Sequence, residues 1–151
     1  MSATVDASRV GSVFTGTPPF EVTRRDVVAF ADAVGASSPV HRDIAEARAA
    51  GFADLVAPVT FAVVIAQEAE AEYIADPASG VDFSRVVHAD ETFTHCRPLV
   101  AGESVTTAVH VDSITSRGGL TLVTTRTEIT DASGDAVASV VSTLAVRGAD
   151  A

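Results

Sequence analysis

Residues 35–43, with the sequence GASSPVHRD, place a histidine where a turn could hold its ring for chemistry. Pro39 restricts the backbone two residues before His41, and small residues precede both. An imidazole changes charge close to neutral pH, so His41 is the first candidate for general acid or base catalysis. A loop histidine that only makes a structural hydrogen bond is the alternative interpretation.

Two predicted helices flank this turn and would fix the position of the ring. Thr23 followed by Asp26 is typical of a helix N-terminus, and Gly35 is typical of a residue that ends a helix. Asp43 is suited to cap a second, alanine-rich helix. The turn that carries His41 is therefore predicted to join two helices.

A third helix is predicted after Pro58, a residue favoured at the first helical position. The run VTFAVVIAQEA that follows it is apolar nearly all round, so protein must enclose that helix. The acidic run EAEAEY, at residues 68–73, is interpreted as the solvated end of the same helix. We expect the apolar residues, including Phe61, to be core residues first.

Strands are predicted from Phe83 onward. The β-branched runs 104–114, 120–130 and 136–146 are separated by glycine-containing turns, which is typical of consecutive antiparallel hairpins. One buried helix followed by a curled antiparallel sheet is an α+β pattern, and the arrangement is that of a single hot-dog domain. We assign residues 1–151 to this domain, with flexible ends at about 1–10 and 148–151.

The composition excludes several classes of partner. The formal net charge is −10, whereas phosphate binding by a nucleic-acid-binding protein requires a basic surface. The sequence has no apolar run long enough to span a membrane and no signal-peptide pattern. Cys96 is the only cysteine and cannot form an internal disulfide. We therefore expect a cytoplasmic protein that binds neither nucleic acid nor membrane.

A second group of polar residues lies on the first long predicted strand. His88 and Asp90 are two residues apart and would point to the same face, whereas His95 would point to the other. Because no third ligand has the spacing of a metal site, we expect no metal. His88 and Asp90 are secondary candidates for a functional pair at a groove or a dimer edge.

These motifs, in this order, resemble the MaoC-like hot-dog dehydratases and hydratases over nearly the whole chain. The family signature, Phe-Ala-x-x-x-Gly-Asp-x-Asn-Pro-Ile-His-x-Asp, is matched at Phe30, Ala31, Gly35, Pro39, His41 and Asp43. The segments LVAPVTFAVV and FTHCRPLVAGESV are similar to the family's central-helix start and following strand and turn. Within this family, the chain most resembles the A-type component of the heterodimeric actinobacterial (3R)-hydroxyacyl-ACP dehydratases. The segments that carry this resemblance are TPPFEV, VAPVTF and DFSRVVHADETF.

The resemblance implies a hydro-lyase of fatty-acid-type metabolism that needs no cofactor. Such enzymes add water across an α,β-unsaturated acyl thioester, or remove it, with an acyl-CoA or acyl-ACP as substrate. They are dimers in which backbone N–H groups at the start of the central helix hold the thioester oxygen. In this chain that role would fall to Val59 and Thr60, with Pro58 and Phe61 beside them as further substrate-binding residues.

The sequence departs from the family where the catalytic aspartate is expected. Ala36 occupies that position, and Ser38 replaces the signature asparagine. Three interpretations follow. A partner hot-dog chain supplies the aspartate, or Asp32 or the helix-capping Asp43 replaces it, or His41 works with a water and the hydroxyl of Ser37 or Ser38. The alternative functions are a non-catalytic subunit that binds the acyl thioester and, with less support, a hot-dog thioesterase. Homodimer and heterodimer both remain open.

The charge of the chain bears on how it would meet its substrate. Coenzyme A and acyl-carrier protein are both anionic, as this chain is, so long-range attraction is unfavourable. Either a local arginine cluster or a less acidic partner subunit must bind the carrier. The candidate arginines are Arg42, Arg48, Arg85 and Arg97.

Overall fold

Six strands form one antiparallel sheet in the computed structural model, which describes residues 4–148. They are β1 (Val13–Phe14), β2 (Phe20–Glu21), β3 (Val86–His95), β4 (Ser104–Arg117), β5 (Leu120–Asp131) and β6 (Ala136–Arg147). The strand order is β1-β4-β5-β6-β3, and β2 also pairs with β4. Glycine-containing turns join β4 to β5 and β5 to β6, as the sequence predicted. Within residues 4–148, β3 is an edge strand that pairs with β6 alone.

Three α-helices precede or cross this sheet: α1 (Arg24–Val34), α2 (Ile44–Ala49) and α3 (Ala62–Ala75). The hydroxyl of Thr23 accepts a hydrogen bond from the amide of Asp26 at 3.1 Å, and Gly35 ends α1 with a left-handed φ of 70°. The carboxylate of Asp43 accepts from two amides at the start of α2. The predicted helix ends on both sides of His41 are therefore confirmed.

The central helix α3 lies against the concave face of the sheet, after a 3₁₀ turn at Val59–Phe61 that follows Pro58. Its inward residues, among them Ile65, Ala66 and Tyr73, are at most 1% exposed and contact the inner faces of β4, β5 and β6. This enclosure is what the nearly uniform apolar sequence required. The α+β hot-dog fold is confirmed. No helix within residues 4–148 is long and apolar enough to cross a membrane.

The segment before β1 makes defined contacts. The Asp6 amide donates a hydrogen bond to the Ser79 carbonyl at 2.9 Å, and Arg9 pairs with Asp76 at 2.6 Å. Residues 4–10 thus pack on the C-terminal end of α3. The sequence predicted a flexible terminus at about residues 1–10. The remaining residues of the two predicted flexible ends, 1–3 and 149–151, lie outside the described residues.

A polar row interrupts the core between two hydrophobic clusters, one centred on Phe61 and the other on Tyr73. Thr125 and Ser142 are cross-strand partners on β5 and β6, and both are at most 2% exposed. Glu70, from α3, accepts a hydrogen bond from the Thr125 hydroxyl at 2.5 Å and is itself 2% exposed. The expectation that the whole acidic run is a solvated helix end is therefore wrong at Glu70.

Burial raises the pKa of the Glu70 carboxyl, with the hydrogen bond from Thr125 opposing that effect. Because the folded state binds this proton more tightly than the unfolded state, the contribution of Glu70 to stability is largest when the group is protonated in both states. That contribution is lost as pH rises through the ordinary value of 4.5 towards the raised pKa of the folded state.

We therefore expect Glu70→Gln to become more stable relative to the wild-type chain as pH rises from about 4 to about 7. The gain in free energy of unfolding relative to the wild-type chain is on the order of 1 kcal/mol. This is the size typical of a buried polar group with incomplete hydrogen bonding. Urea unfolding at several pH values measures it. Glu68→Gln, at an exposed position of the same helix, is the control and should show no such trend. A constant difference between wild type and Glu70→Gln across this range would contradict the prediction.

Candidate active site

His41 is held by the start of the segment that leads into α3. Residues Pro39–His41 form a 3₁₀ turn, and Nδ1 of His41 lies 2.6 Å from the Val56 carbonyl oxygen. Since a carbonyl only accepts, Nδ1 carries the proton and donates it. The Nε2 atom is then left unprotonated in the neutral ring and can accept a proton from water or substrate.

The His41 ring opens onto a cavity of about 490 Å³ beside the start of α3. Its lining residues come from the His41 turn, the segment before α3 and the end of β3: Ala36, His41, Val56, Ala57, Pro58, Val59, His95, Cys96, Arg97 and Pro98. The volume is within the range of small-molecule sites, and most of the wall is apolar. The cavity therefore brings the histidine and the helix start to one site.

The helix start presents unpaired backbone donors near this cavity. The first amide to bond within the turn is that of Phe61, which donates to the Pro58 carbonyl at 2.9 Å. The N–H groups of Val59 and Thr60 make no hydrogen bond within the described residues, and both side chains are exposed. They lie at the positive end of the helix dipole, so they can stabilise a negative oxygen there.

A second histidine, which the sequence pattern did not assign to the site, holds the same segment. Nε2 of His95 lies 2.8 Å from the Val59 carbonyl oxygen and must donate to it. Nδ1 of His95 is buried and has no hydrogen-bond partner among the described residues. Since the C=O of Val59 and the N–H of Thr60 belong to one planar peptide group, this bond fixes the direction of that N–H.

Ala36 lines the cavity at the position of the family's aspartate. None of the residues that line the cavity carries a carboxylate. The backbone carbonyl of Ala36 accepts a hydrogen bond from Arg42 at 2.7 Å. The cavity thus has a candidate base and a helix start with two amides unpaired within the described residues, but none of its lining residues is an Asp or a Glu.

Two of the predicted substitutes for that aspartate do not line the His41 cavity. Asp32 is exposed, forms an ion pair with Arg42 and lines a different cavity, between α1 and α2. Ser38 is exposed and does not line the His41 cavity. The His41 amide donates to the Ser38 carbonyl at 3.2 Å, but neither Asp32 nor Ser38 is among the residues that line the cavity.

His88 and Asp90 do not share a face, contrary to the prediction. His88 pairs with Leu144 on β6, and Asp90 pairs with the adjacent residue Thr143. A β-bulge between His88 and Asp90 causes this shift in register. Consecutive residues on β6 point to opposite faces, so their partners do too. Asp90 is exposed, whereas His88 lies at the other half of α3, beside Glu70.

The predicted substrate-binding residues separate into two groups. Pro58 and Val59 line the cavity, and Thr60 follows them with an exposed side chain and an amide that is unpaired within residues 4–148. Phe61 is 1% exposed and does not line the cavity. Its ring packs against Phe30, at 5.5 Å between centroids, and supports the helix start from within the core.

Among the described residues that line the cavity, Arg97 is the one arginine. It forms hydrogen-bonded ion pairs with Glu103 at 2.8 Å and Asp131 at 3.2 Å, and the first of these contributes most to raising the pKa of the guanidinium. Two carboxylates therefore offset its charge. Within residues 4–148, no cluster of three or more His, Cys, Asp or Glu residues could hold a metal ion.

Comparison with known proteins gives a family for this chain. Residues 8–140 match the family described as FAS1-like, dehydratase domain region. Similar curated proteins include UPF0336 proteins from Saccharopolyspora erythraea and Leifsonia xyli, each 44% identical over 144 residues. These alignments cover 95% of this chain and 92% and 97% of those proteins, respectively.

Solved structures give a concordant result. A chain of the C-terminally truncated HadBC (3R-hydroxyacyl-ACP dehydratase) complex from Mycobacterium tuberculosis is 27% identical, with a TM-score of 0.81 over 91% of this chain and 96% of that one. A MaoC-like dehydratase is 30% identical, with a TM-score of 0.86 over 95% of this chain but 43% of that longer one. A chain of the ChsH1-ChsH2 complex of the same mycobacterium shares the fold. It is 20% identical, with a TM-score of 0.69 over 91% of this chain and 98% of that one. The resemblance to MaoC-like hot-dog proteins is thereby confirmed.

The geometry predicts opposite tautomers for the two histidines of the cavity. When neutral, His41 should be protonated at Nδ1 and His95 at Nε2, because each of these atoms donates to a backbone carbonyl. A two-bond ¹H–¹⁵N correlation spectrum at mildly alkaline pH distinguishes the tautomers. His110, which makes no side-chain hydrogen bond within the described residues, is the reference for an unconstrained ring. A proton on Nε2 of His41 would contradict the assigned contact.

Proposed function

Since the chain belongs to the family of FAS1-like dehydratase domains, we propose that it is one subunit of an acyl-thioester hydro-lyase. The reaction is the addition of water to a 2-enoyl thioester or the reverse dehydration of a 3-hydroxyacyl thioester. The observation that carries this proposal is the cavity in which the free edge of His41 and the start of α3 meet.

The helix start binds the reacting thioester through its carbonyl oxygen. The N–H groups of Val59 and Thr60 are unpaired within the described residues, and the Val59–Thr60 peptide is fixed by the hydrogen bond from His95. Negative charge develops on that oxygen when water adds to the conjugated acyl group. It also develops when the carbon next to the carbonyl loses a proton. Fixed donors at the positive end of a helix lower the energy of this charge in the transition state.

His41 serves as the group that exchanges a proton with water in this arrangement. Its Nε2 accepts a proton from the attacking water in hydration and returns it to the departing hydroxyl in dehydration. A second group must protonate the carbon next to the carbonyl in hydration and remove its proton in dehydration. The cavity of this chain supplies no carboxylate for that step, because Ala36 stands at the expected position.

A partner hot-dog chain provides the missing carboxylate in our proposal. The edge strand β3 has an unpaired side within the described residues and ends at His95, in the wall of the cavity. Val87, on the same strand, is 58% exposed, and nearby Phe83 is 65% exposed. A second chain that pairs along this edge would cover both side chains and lie next to the cavity. The similar HadBC and ChsH1-ChsH2 structures are complexes of two named components.

The same partner is the better candidate for binding the anionic carrier, whether coenzyme A or acyl-carrier protein. The arginines suggested for that role are engaged within the chain. Arg97 pairs with two carboxylates, Arg42 with Asp32, and Arg85 with Asp82, while Arg48 donates to the Ala53 carbonyl. With a net charge of −10, the chain alone would repel such a carrier at long range.

A subunit that binds the acyl thioester without performing chemistry is the second candidate function. The alanine at position 36 favours it, because a partner with a complete Asp–His pair would need only a binding surface from this chain. In that case His41 would position the segment before α3 through Val56 and would not contact the reacting atoms.

The test is hydration of crotonyl-CoA by the purified chain, alone and mixed with a hot-dog subunit that retains the aspartate of the family signature. We expect turnover only in the mixture, and a reduction of at least about tenfold when His41→Ala replaces the wild-type chain, as for a lost acid–base group. Turnover by the isolated chain would contradict the two-subunit proposal. Full activity of the mixture that contains His41→Ala would instead indicate that this chain is a binding subunit without a catalytic role. Release of free CoA would indicate a thioesterase.

Ala36→Asp tests whether the missing carboxylate is what limits the isolated chain. We expect hydration of crotonyl-CoA to rise at least about tenfold over the isolated wild type, since a positioned acid–base group typically contributes more than this. Ala36→Asn, of similar size but unable to exchange a proton in this way, is the matched control. The gain should disappear when His41→Ala is combined with Ala36→Asp. Equal rates for the Asp and Asn variants would contradict the assignment of this cavity.

A further inference from the structure

Strand β3 forms one edge of the sheet within residues 4–148, because it pairs with β6 alone. The backbone groups on its other side make no strand pair there and can join the edge strand of another chain. The exposed apolar side chains of Phe83 and Val87 lie at the start of this edge. An edge with these properties accepts many extended strands unless charges restrict the choice of partner.

Two adjacent carboxylates occupy the middle of this edge. Asp90 and Glu91 are the fifth and sixth of the ten residues of β3. Asp90 is in register with Thr143, and Glu91 with the buried Ser142, so Glu91 points inward to α3 and Asp90 points to the outer face. The strand contains no arginine or lysine. The edge therefore carries one negative charge on each face of the sheet.

No cation within the described residues neutralises these two carboxylates. Asp90 is exposed, and its side chain accepts only from the Thr92 hydroxyl, at 3.4 Å. Oε2 of Glu91 accepts from Ser142 at 2.7 Å, whereas Oε1 is buried and has no hydrogen-bond partner. Neither residue forms a salt bridge in this part of the chain. Inward-pointing charges on an edge strand are a known means of preventing sheets from joining.

The position of these charges acts against pairing with a second copy of the same chain. Two identical edge strands that join antiparallel are related by a two-fold axis, and residues directly opposite each other share a face. The residue on the axis therefore faces its own copy. The two axis positions that pair most of β3 lie at Asp90 and at Glu91, so each of them places identical carboxylates opposite each other. Like charges directly opposite destabilise a sheet, and the net charge of −10 on each copy adds repulsion at long range.

We propose that the middle of β3 selects a different chain as its pairing partner, one whose edge strand presents arginine or lysine opposite Asp90 and Glu91. A cation there would form an ion pair with Asp90 on the outer face and offset the charge of Glu91 on the inner face. Phe83 and Val87 offer apolar area to any partner, so the carboxylates discriminate between partners. The inference rests on the proposed function in taking this partner to be the hot-dog subunit that supplies the missing aspartate.

The test pairs the wild-type chain with a copy whose edge charges are reversed, Asp90→Lys combined with Glu91→Lys. Sedimentation at low ionic strength detects a complex of twice the 15.4 kDa mass of the chain. We expect the dissociation constant of the mixed pair to be at least about tenfold lower than that of either protein alone. Added salt should reduce this difference. Hydrogen exchange should show new protection of β3 amides in the mixed pair.

Neutralising the edge should also permit some self-association. Asp90→Asn combined with Glu91→Gln keeps the sizes of both side chains, and we expect it to strengthen self-association at least about threefold, as for removal of a like-charge pair in a sheet. Glu46→Gln combined with Asp135→Asn is the matched control. It removes the same charge from exposed positions outside the edge and should change self-association by less than about twofold.

Several outcomes would overturn the proposal. They are a mixed pair no tighter than the wild-type chain with itself, self-association unchanged by neutralising the edge, and equal strengthening by the control pair. New protection confined to residues outside β3 would also overturn it. If the variants at Glu91 lost their folded spectra, Asp90→Lys alone, at an exposed position, provides the second variant with the same expected direction. These measurements detect association and not turnover, so they remain interpretable if the mixture of subunits fails to hydrate crotonyl-CoA.

Discussion

The structure depends on one enclosed helix whose first amides remain unpaired within the described residues. α3 is apolar enough that the sheet must cover it, and this burial fixes the helix axis relative to β4, β5 and β6. The 3₁₀ turn after Pro58 then places the free N–H groups of Val59 and Thr60 beside a cavity. Because the N–H groups at a helix start lack partners within the helix, the fold provides the backbone donors that the proposed function assigns to the thioester oxygen.

Two histidines hold the backbone that leads into α3. His41 bonds to the Val56 carbonyl and His95 to the Val59 carbonyl, so the segment that leads into α3 is held from the α1–α2 turn and from the end of β3. One ring keeps Nε2 available for proton transfer, whereas the other uses Nε2 to hold the backbone. No carboxylate stands at Ala36, and in the proposed function a partner at the open edge of the sheet supplies it.

The sequence predicts the parts of this arrangement that local chemistry determines. The caps at Thr23 and Asp43, the enclosed central helix and the hairpins all follow from residue types and spacing. Three features do not follow from such patterns. The bulge after His88 reverses the faces expected from simple alternation, and only cross-strand register reveals it. His95 reaches the cavity through tertiary packing. Glu70 is buried beside Thr125 of the sheet, although Glu68, two residues earlier in the same acidic run, is exposed.

The central claim is that the start of α3 binds the oxygen of an acyl thioester. Its most direct test is a ¹H–¹⁵N spectrum of the chain during titration with a non-reactive acyl-pantetheine thioester, alone and with the partner subunit. We predict saturable downfield shifts of the Val59 and Thr60 amides, as expected for new hydrogen bonds to a carbonyl oxygen, together with a change at the His41 ring. Binding that leaves both amides unshifted in the chain and in the complex would contradict this claim.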